Sequence, residues 1–130
     1  MSDLSARDLL ALHALVARYL GVSPGVADPA ALRLALVAPD QVAAGDLFER
    51  AAALAQAIVQ ARPFRAANVA QAAAAAALYL RAYDLELQLT TGESDALRDF
   101  LRGADRLALA AWLRAHTEPL PLAPAAGGSG

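Results

Sequence analysis

Residues able to do chemistry are sparse in this chain of 130 residues. Their densest grouping is Arg62-Pro63-Phe64-Arg65-Ala66-Ala67-Asn68-Val69-Ala70-Gln71. Pro63 cannot continue a helix that arrives from upstream, because its ring clashes with the preceding turn and it has no N–H. A helix-forming run opens again at Ala67. Two arginines therefore flank a helix start, where free backbone N–H groups and the helix dipole favour an anion. The chemistry open to this stretch is phosphate binding, with Arg62, Arg65, Ala67 and Asn68 as donors. The competing reading has both arginines solvated or paired with a local acid such as Glu49, and Asn68 satisfying its own backbone.

The remaining candidates are two histidines. His13 falls one turn beyond Leu9, near an apolar helix face, and is expected to be hydrogen-bonded inside a bundle rather than to shuttle protons. His116 stands near the end of the chain and is expected to be solvated. The two are far apart and form no paired metal-ligand spacing, so no metal site is expected. Trp112 is expected in the core. The chain has no cysteine, which excludes disulfides, thiol chemistry and cysteine-bound zinc. All 11 basic residues are arginine, which excludes lysine nucleophiles and Schiff bases. A net charge of −2 with dispersed charges gives no footprint for nucleic acid. No apolar run is long enough to span a membrane. The polar start, Met-Ser-Asp-Leu-Ser-Ala-Arg-Asp, lacks a signal-peptide core, so the expected location is the cytoplasm.

The elements that must hold this loop read as helices. Residues are 58% hydrophobic and 5% aromatic, dominated by Ala and Leu, which favours an all-α fold. Ser5 caps a helix over 6–20, with Leu9, Leu12, Val16 and Tyr19 on one face. Val22 to Ala27 is a loop, and Asp28-Pro29 opens a short helix to 37. Asp46 starts a helix to Ala61 with two apolar stripes, Leu47/Ala51/Leu54/Ile58 and Phe48/Ala55/Val59. A fourth helix is expected over 67–84, with Val69, Ala73, Ala76, Leu80 and Tyr83 on one face and six alanines at 72–77. Those alanines let neighbouring backbones approach, which puts this helix at the centre. Leu85, Leu87 and Leu89 alternate as a short extended segment, and Thr90 to Glu93 reads as a turn. Ser94 caps a helix over 95–102, Gly103 breaks it, and Asp105 opens a last helix to about His116. The expectation is a compact bundle of about six helices in one domain, 1–118, followed by a disordered Pro/Gly-rich tail over 119–130.

The loop over 62–71 resembles the signature of the Fic/Doc (Fido) family. That signature reads His, any, Phe, any, Asp/Glu, Gly/Ala, Asn, Lys/Arg/Gly, Arg, and often Thr. Phe64, Ala67 and Asn68 match it, whereas Arg62 replaces the histidine, Ala66 the acid, and Val69 and Ala70 the basic residues. Further short matches run in order through the chain and are similar to the Doc (death-on-curing) branch. They are Leu12-His13 with Tyr19 and Gly21, Pro24-Gly25, Asp28-Pro29, Asp46-Leu47-Phe48-Glu49 and Leu78-Tyr79-Leu80-Arg81.

In that family, the resemblance implies, the histidine is the general base for attack of a protein hydroxyl on a nucleotide phosphate. The acid helps place a divalent metal, and the helix start holds phosphates. Arginine stays protonated and cannot act as base, and alanine offers no oxygen to Mg²⁺. Val69 and Ala70 supply no charge to a transferring phosphoryl group. The resemblance therefore implies a cytoplasmic, bacterial toxin-like binding protein that has lost its catalytic residues. It would have no cofactor beyond a weakly held phosphate or nucleotide. Its partner would be a protein, either an antitoxin-like segment or a former toxin target, and neither nucleic acid nor membrane. The alternative is an ATP-dependent transferase that phosphorylates or nucleotidylates a protein hydroxyl by altered chemistry, with Arg62 and Arg65 stabilising the phosphate.

Overall fold

The computed structural model describes residues 4–42, 46–89, 91–103 and 105–120. Over these described residues the fold is all-α, a compact bundle of six helices with one two-stranded ribbon. The order is α1 (Ala6–Leu20), α2 (Pro29–Val37), a 3-10 turn (Ala38–Gln41), α3 (Leu47–Ala61) and α4 (Asn68–Arg81). Then follow β1 (Leu85–Leu87), α5 (Thr91–Gly103), α6 (Arg106–Ala115) and β2 (Thr117–Pro119).

Four helix starts are set by their cap residues. Ser5 and Asp8 form a reciprocal capping box on α1. The Ser5 backbone N–H first, then its hydroxyl, hold the Asp8 carboxyl below its ordinary pKa. Asp28, Asp46 and Asp105 each accept from the backbone N–H three residues on. The alanine-rich α4 lies centrally and shares that position with α3. α3 packs against α2, α4, α5 and α6, and α4 packs against α1, α3, α5 and β1. Ala51, Ala52 and Ala55 of α3 and Ala72, Ala75 and Ala76 of α4 are all buried, so small side chains bring these helices close. Leu54, Ile58, Leu80, Leu97, Leu109 and Leu113 fill the remaining core.

Several local expectations are corrected. On α1 the buried residues are Leu9, His13 and Ala17, not the stripe ending at Tyr19, which is 89% exposed. The helix is rotated because His13 finds partners inside and the small Ala17 allows close approach. α4 stops at Arg81 rather than Asp84, and Asp84 takes a left-handed conformation (φ 64°) that turns the chain into β1. The extended segment ends at Leu87, short of Leu89. α5 already runs through 91–93, where a turn was expected, so Ser94 is not its cap. Starting there puts Glu93 in the first turn, where its charge suits the helix dipole. β2 lies across the expected start of the tail and pairs antiparallel with β1, Leu85 opposite Pro119. Leu120 then donates its N–H to the Asp84 carbonyl at 2.9 Å. Residues 121–130 of the expected disordered tail lie outside the described residues.

Candidate functional site

The loop between α3 and α4 is pinned to the loop that precedes α2. Arg62 closes α3 in a left-handed conformation (φ 51°, ψ 57°). Pro63 and Phe64 are buried beneath it. The Pro63 carbonyl accepts from the N–H groups of Ala27 (2.7 Å) and Asp28 (3.1 Å), and the Arg65 N–H donates to the Gly25 carbonyl (3.0 Å). Val26 and Phe64 pair as an antiparallel bridge. Gly25 has φ 149°, and the Arg65 side chain lies across it: a Cβ there would stand 2.8 Å from Arg65 Cδ and Nε. A side chain at position 25 would be strained and would displace Arg65.

His13 supports this joint from α1. The Gly25 N–H donates to His13 Nε2 (3.1 Å), which leaves the ring proton on Nδ1, facing Gln71 Oε1 at 3.3 Å. The imidazole stacks on Phe64, with centroids 4.1 Å apart and planes 22° apart. Both ring nitrogens are thus occupied within the fold, and His13 does not present a base to solvent. Its partner Gln71 is fully buried, and its Nε2 has no hydrogen-bond partner. The expectation of a hydrogen-bonded bundle histidine holds.

Asn68 closes the other side. Its Oδ1 accepts from the Phe64 N–H (3.1 Å) and its Nδ2 donates to the Phe64 carbonyl (3.0 Å). The side chain is spent on its own loop, as the competing reading of this residue has it. Ala67, the N-cap of α4, has φ 62° and ψ 32°, and no side chain caps the helix. A Cβ in that conformation costs about 1–2 kcal/mol. Ala67→Gly releases this against a smaller gain in unfolded-chain entropy. The expected result is a stabilisation of about 0.5–1 kcal/mol, read as a higher midpoint in urea denaturation.

The residues of the 62–70 stretch lie between the end of α3 and the first turn of α4 with unequal exposure. Arg62 and Arg65 are exposed, and among the described residues no ion pair or hydrogen bond engages either guanidinium, from Glu49 or elsewhere. Ala66, Ala67, Val69 and Ala70 are half-buried and Asn68 is buried. The N–H groups of Asn68, Val69 and Ala70 precede the first intrahelical bond, from the Gln71 N–H to the Ala67 carbonyl. Among the described residues no group of three or more His, Asp or Glu side chains could hold a metal ion.

Ala70 also lines a groove of about 520 Å³. Leu15, Val16, Tyr19 and Leu20 of α1 form one wall, and Ala70 and Ala73 of α4 the floor. Leu89 with Ser94, Asp95, Leu97 and Arg98 forms the other wall. The lining is mainly apolar, and Arg98 is paired to Asp95. Sequence reasoning missed this groove because it put Tyr19 on the same helix face as the buried Leu9. It also missed the Gly25–His13 bond. The available signal was the spacing Leu9, His13, Ala17, one residue per turn on a single line of the helix.

No family model matches this chain, and no curated protein matches its sequence. No helix among the described residues is long and apolar enough to cross a membrane.

Proposed function

We propose that this chain is a non-catalytic protein of Fic/Doc type that acts by binding a segment of another protein. The groove between α1, α4 and α5 carries the reading. Its rim holds Tyr19, 89% exposed, and Leu15, 65% exposed, with Leu20 and Leu89 beside them. Single exposed apolar residues are ordinary, but several around one groove mark a contact surface. Ala70, where the family signature has an arginine, makes that floor uncharged. Arg62 and Arg65, without carboxylate partners, stand on the loop leading into the same helix. An amphipathic helix fits this combination: apolar side chains at helical spacing for the groove, acidic ones for the two arginines. The same arginines, with the free N–H groups at Asn68, Val69 and Ala70, keep an environment that attracts a phosphate without the base or acid needed to transfer it.

The test is site-specific photocrosslinking in the source cells. A benzophenone side chain is placed at Tyr19, or at the exposed Leu107 of α6 as control. The expected outcome is one adduct at position 19, mapping to an amphipathic segment with acidic residues, and none of it at position 107. The same adducts from both positions, or none from position 19, would contradict the proposal.

A further inference from the structure

A second cluster of titratable groups lies away from the loop, where α6 ends. His116 follows α6 and is held from three sides. Its Nδ1–H donates to the Trp112 carbonyl (2.8 Å), its ring stacks on the Trp112 indole (3.8 Å between centroids, 18°), and its carbonyl accepts from the Gln88 N–H (2.7 Å). The other ring nitrogen, Nε2, stands 3.4 Å from Glu93 Oε2. Both groups line a polar pocket of about 310 Å³ with Gln88, Leu89, Ala115 and Glu118. The expectation that His116 is simply solvated is therefore corrected.

We propose that His116 is a proton-operated latch between α6 and the first turn of α5, closed when Nε2 is protonated. With Nδ1–H committed to a carbonyl, the neutral ring turns a lone pair toward the Glu93 carboxylate, acceptor against acceptor. One added proton converts this contact into a charge-assisted hydrogen bond. The ribbon next to this contact is weak by itself. Glu118 on β2 lies directly opposite Glu86 on β1, a like-charge cross-strand pair that destabilises a ribbon. Among the described residues neither has a cation partner. The nearby cations are engaged elsewhere: Arg114 of α6 pairs with Asp46 and lies over the Phe48 ring, and Arg98 and Arg102 pair along α5 with Asp95 and Asp99. The sign follows: the latch adds stability to the ribbon at low pH, and this is lost as the pH rises and His116 gives up its proton.

The consequence reaches the groove. Glu93 immediately precedes Ser94 and Asp95 in the groove wall, and Leu89 borders both spaces. The latch would set the position of that wall and make occupancy of the groove pH-dependent. This last step rests on the proposed binding role; the latch itself does not.

The free full-length chain tests it. Amide exchange is followed by NMR at about pH 5.5 and about pH 8, either side of the usual histidine range, each rate divided by its intrinsic rate and by that of the α3 core. Trp112 is the only tryptophan, so its fluorescence reports His116 protonation directly. In the wild type the Gln88 and β1 amides should lose about tenfold in protection at the higher pH. Glu93→Gln should remove this difference while keeping the pH-dependent change in Trp112 fluorescence, and His116→Gln should remove both. Equal protection at the two pH values in the wild type, or a difference that persists in Glu93→Gln, would overturn the latch. No partner is present, so failure here leaves the groove reading intact, and failure of the crosslinking leaves the latch intact.

Discussion

Phe64→Ala is expected to destabilise the fold by about 3–5 kcal/mol, the largest effect of any single change in the loop. Phe64 is 2% exposed and belongs to the main core. Truncation leaves a cavity beneath the α3–α4 loop and removes the stacking surface of His13 on α1. The Gly25–His13 bond and the Val26–Phe64 bridge should loosen with it, because each depends on the two loops staying apposed. Urea denaturation with a shifted midpoint and an unchanged slope would give the expected result. A loss under about 1 kcal/mol would mean that the joint repacks freely and does not hold the loop.

Asn68→Ala is expected to cost about 2–3 kcal/mol, since it strands a buried donor and a buried acceptor on Phe64 together. Asn68→Asp should be nearly as damaging. It keeps an acceptor for the Phe64 N–H but sets a carboxylate oxygen against the Phe64 carbonyl. Arg65→Ala, at an exposed and unpaired position, should change stability by no more than about 0.5 kcal/mol. The contrast separates two roles for the loop. If Asn68 were a ligand contact that the fold does not need, its removal would resemble that of Arg65, and thermal denaturation of the three variants decides between them.

The bundle was legible wherever the signal is local. Ser5, Asp28-Pro29, Asp46 and Asp105 mark helix starts because a cap needs only a side chain and an N–H three residues on. Pro63 marks a helix end because its ring acts on the turn next to it. What escaped depends on partners distant in sequence. β2 is three residues long and is a strand only because β1, legible as an alternating extended segment, lies beside it. Pro119 in β2 reads as a breaker, yet a ribbon edge needs no donor from it. The rotation of α1 turned on His13, whose burial depends on Gly25 and Gln71, and no apolar periodicity reports that. The left-handed Ala67 was equally hidden, because alanine gives no sign of a positive φ. The break between the two helices, expected over Arg62 to Ala66, lies between Ala61 and Asn68, because Pro63 acts on the turn beside it, and Arg62 and Arg65 are exposed there.

The central claim is binding without group transfer. Its most direct test is transfer of label from α- and γ-labelled ATP onto proteins of a bacterial lysate, with wild type beside Arg62→Ala and both proteins checked for folding. The account predicts no labelled band with either protein. A band that appears with the wild type and is lost in Arg62→Ala would contradict it and establish a transferase working through Arg62.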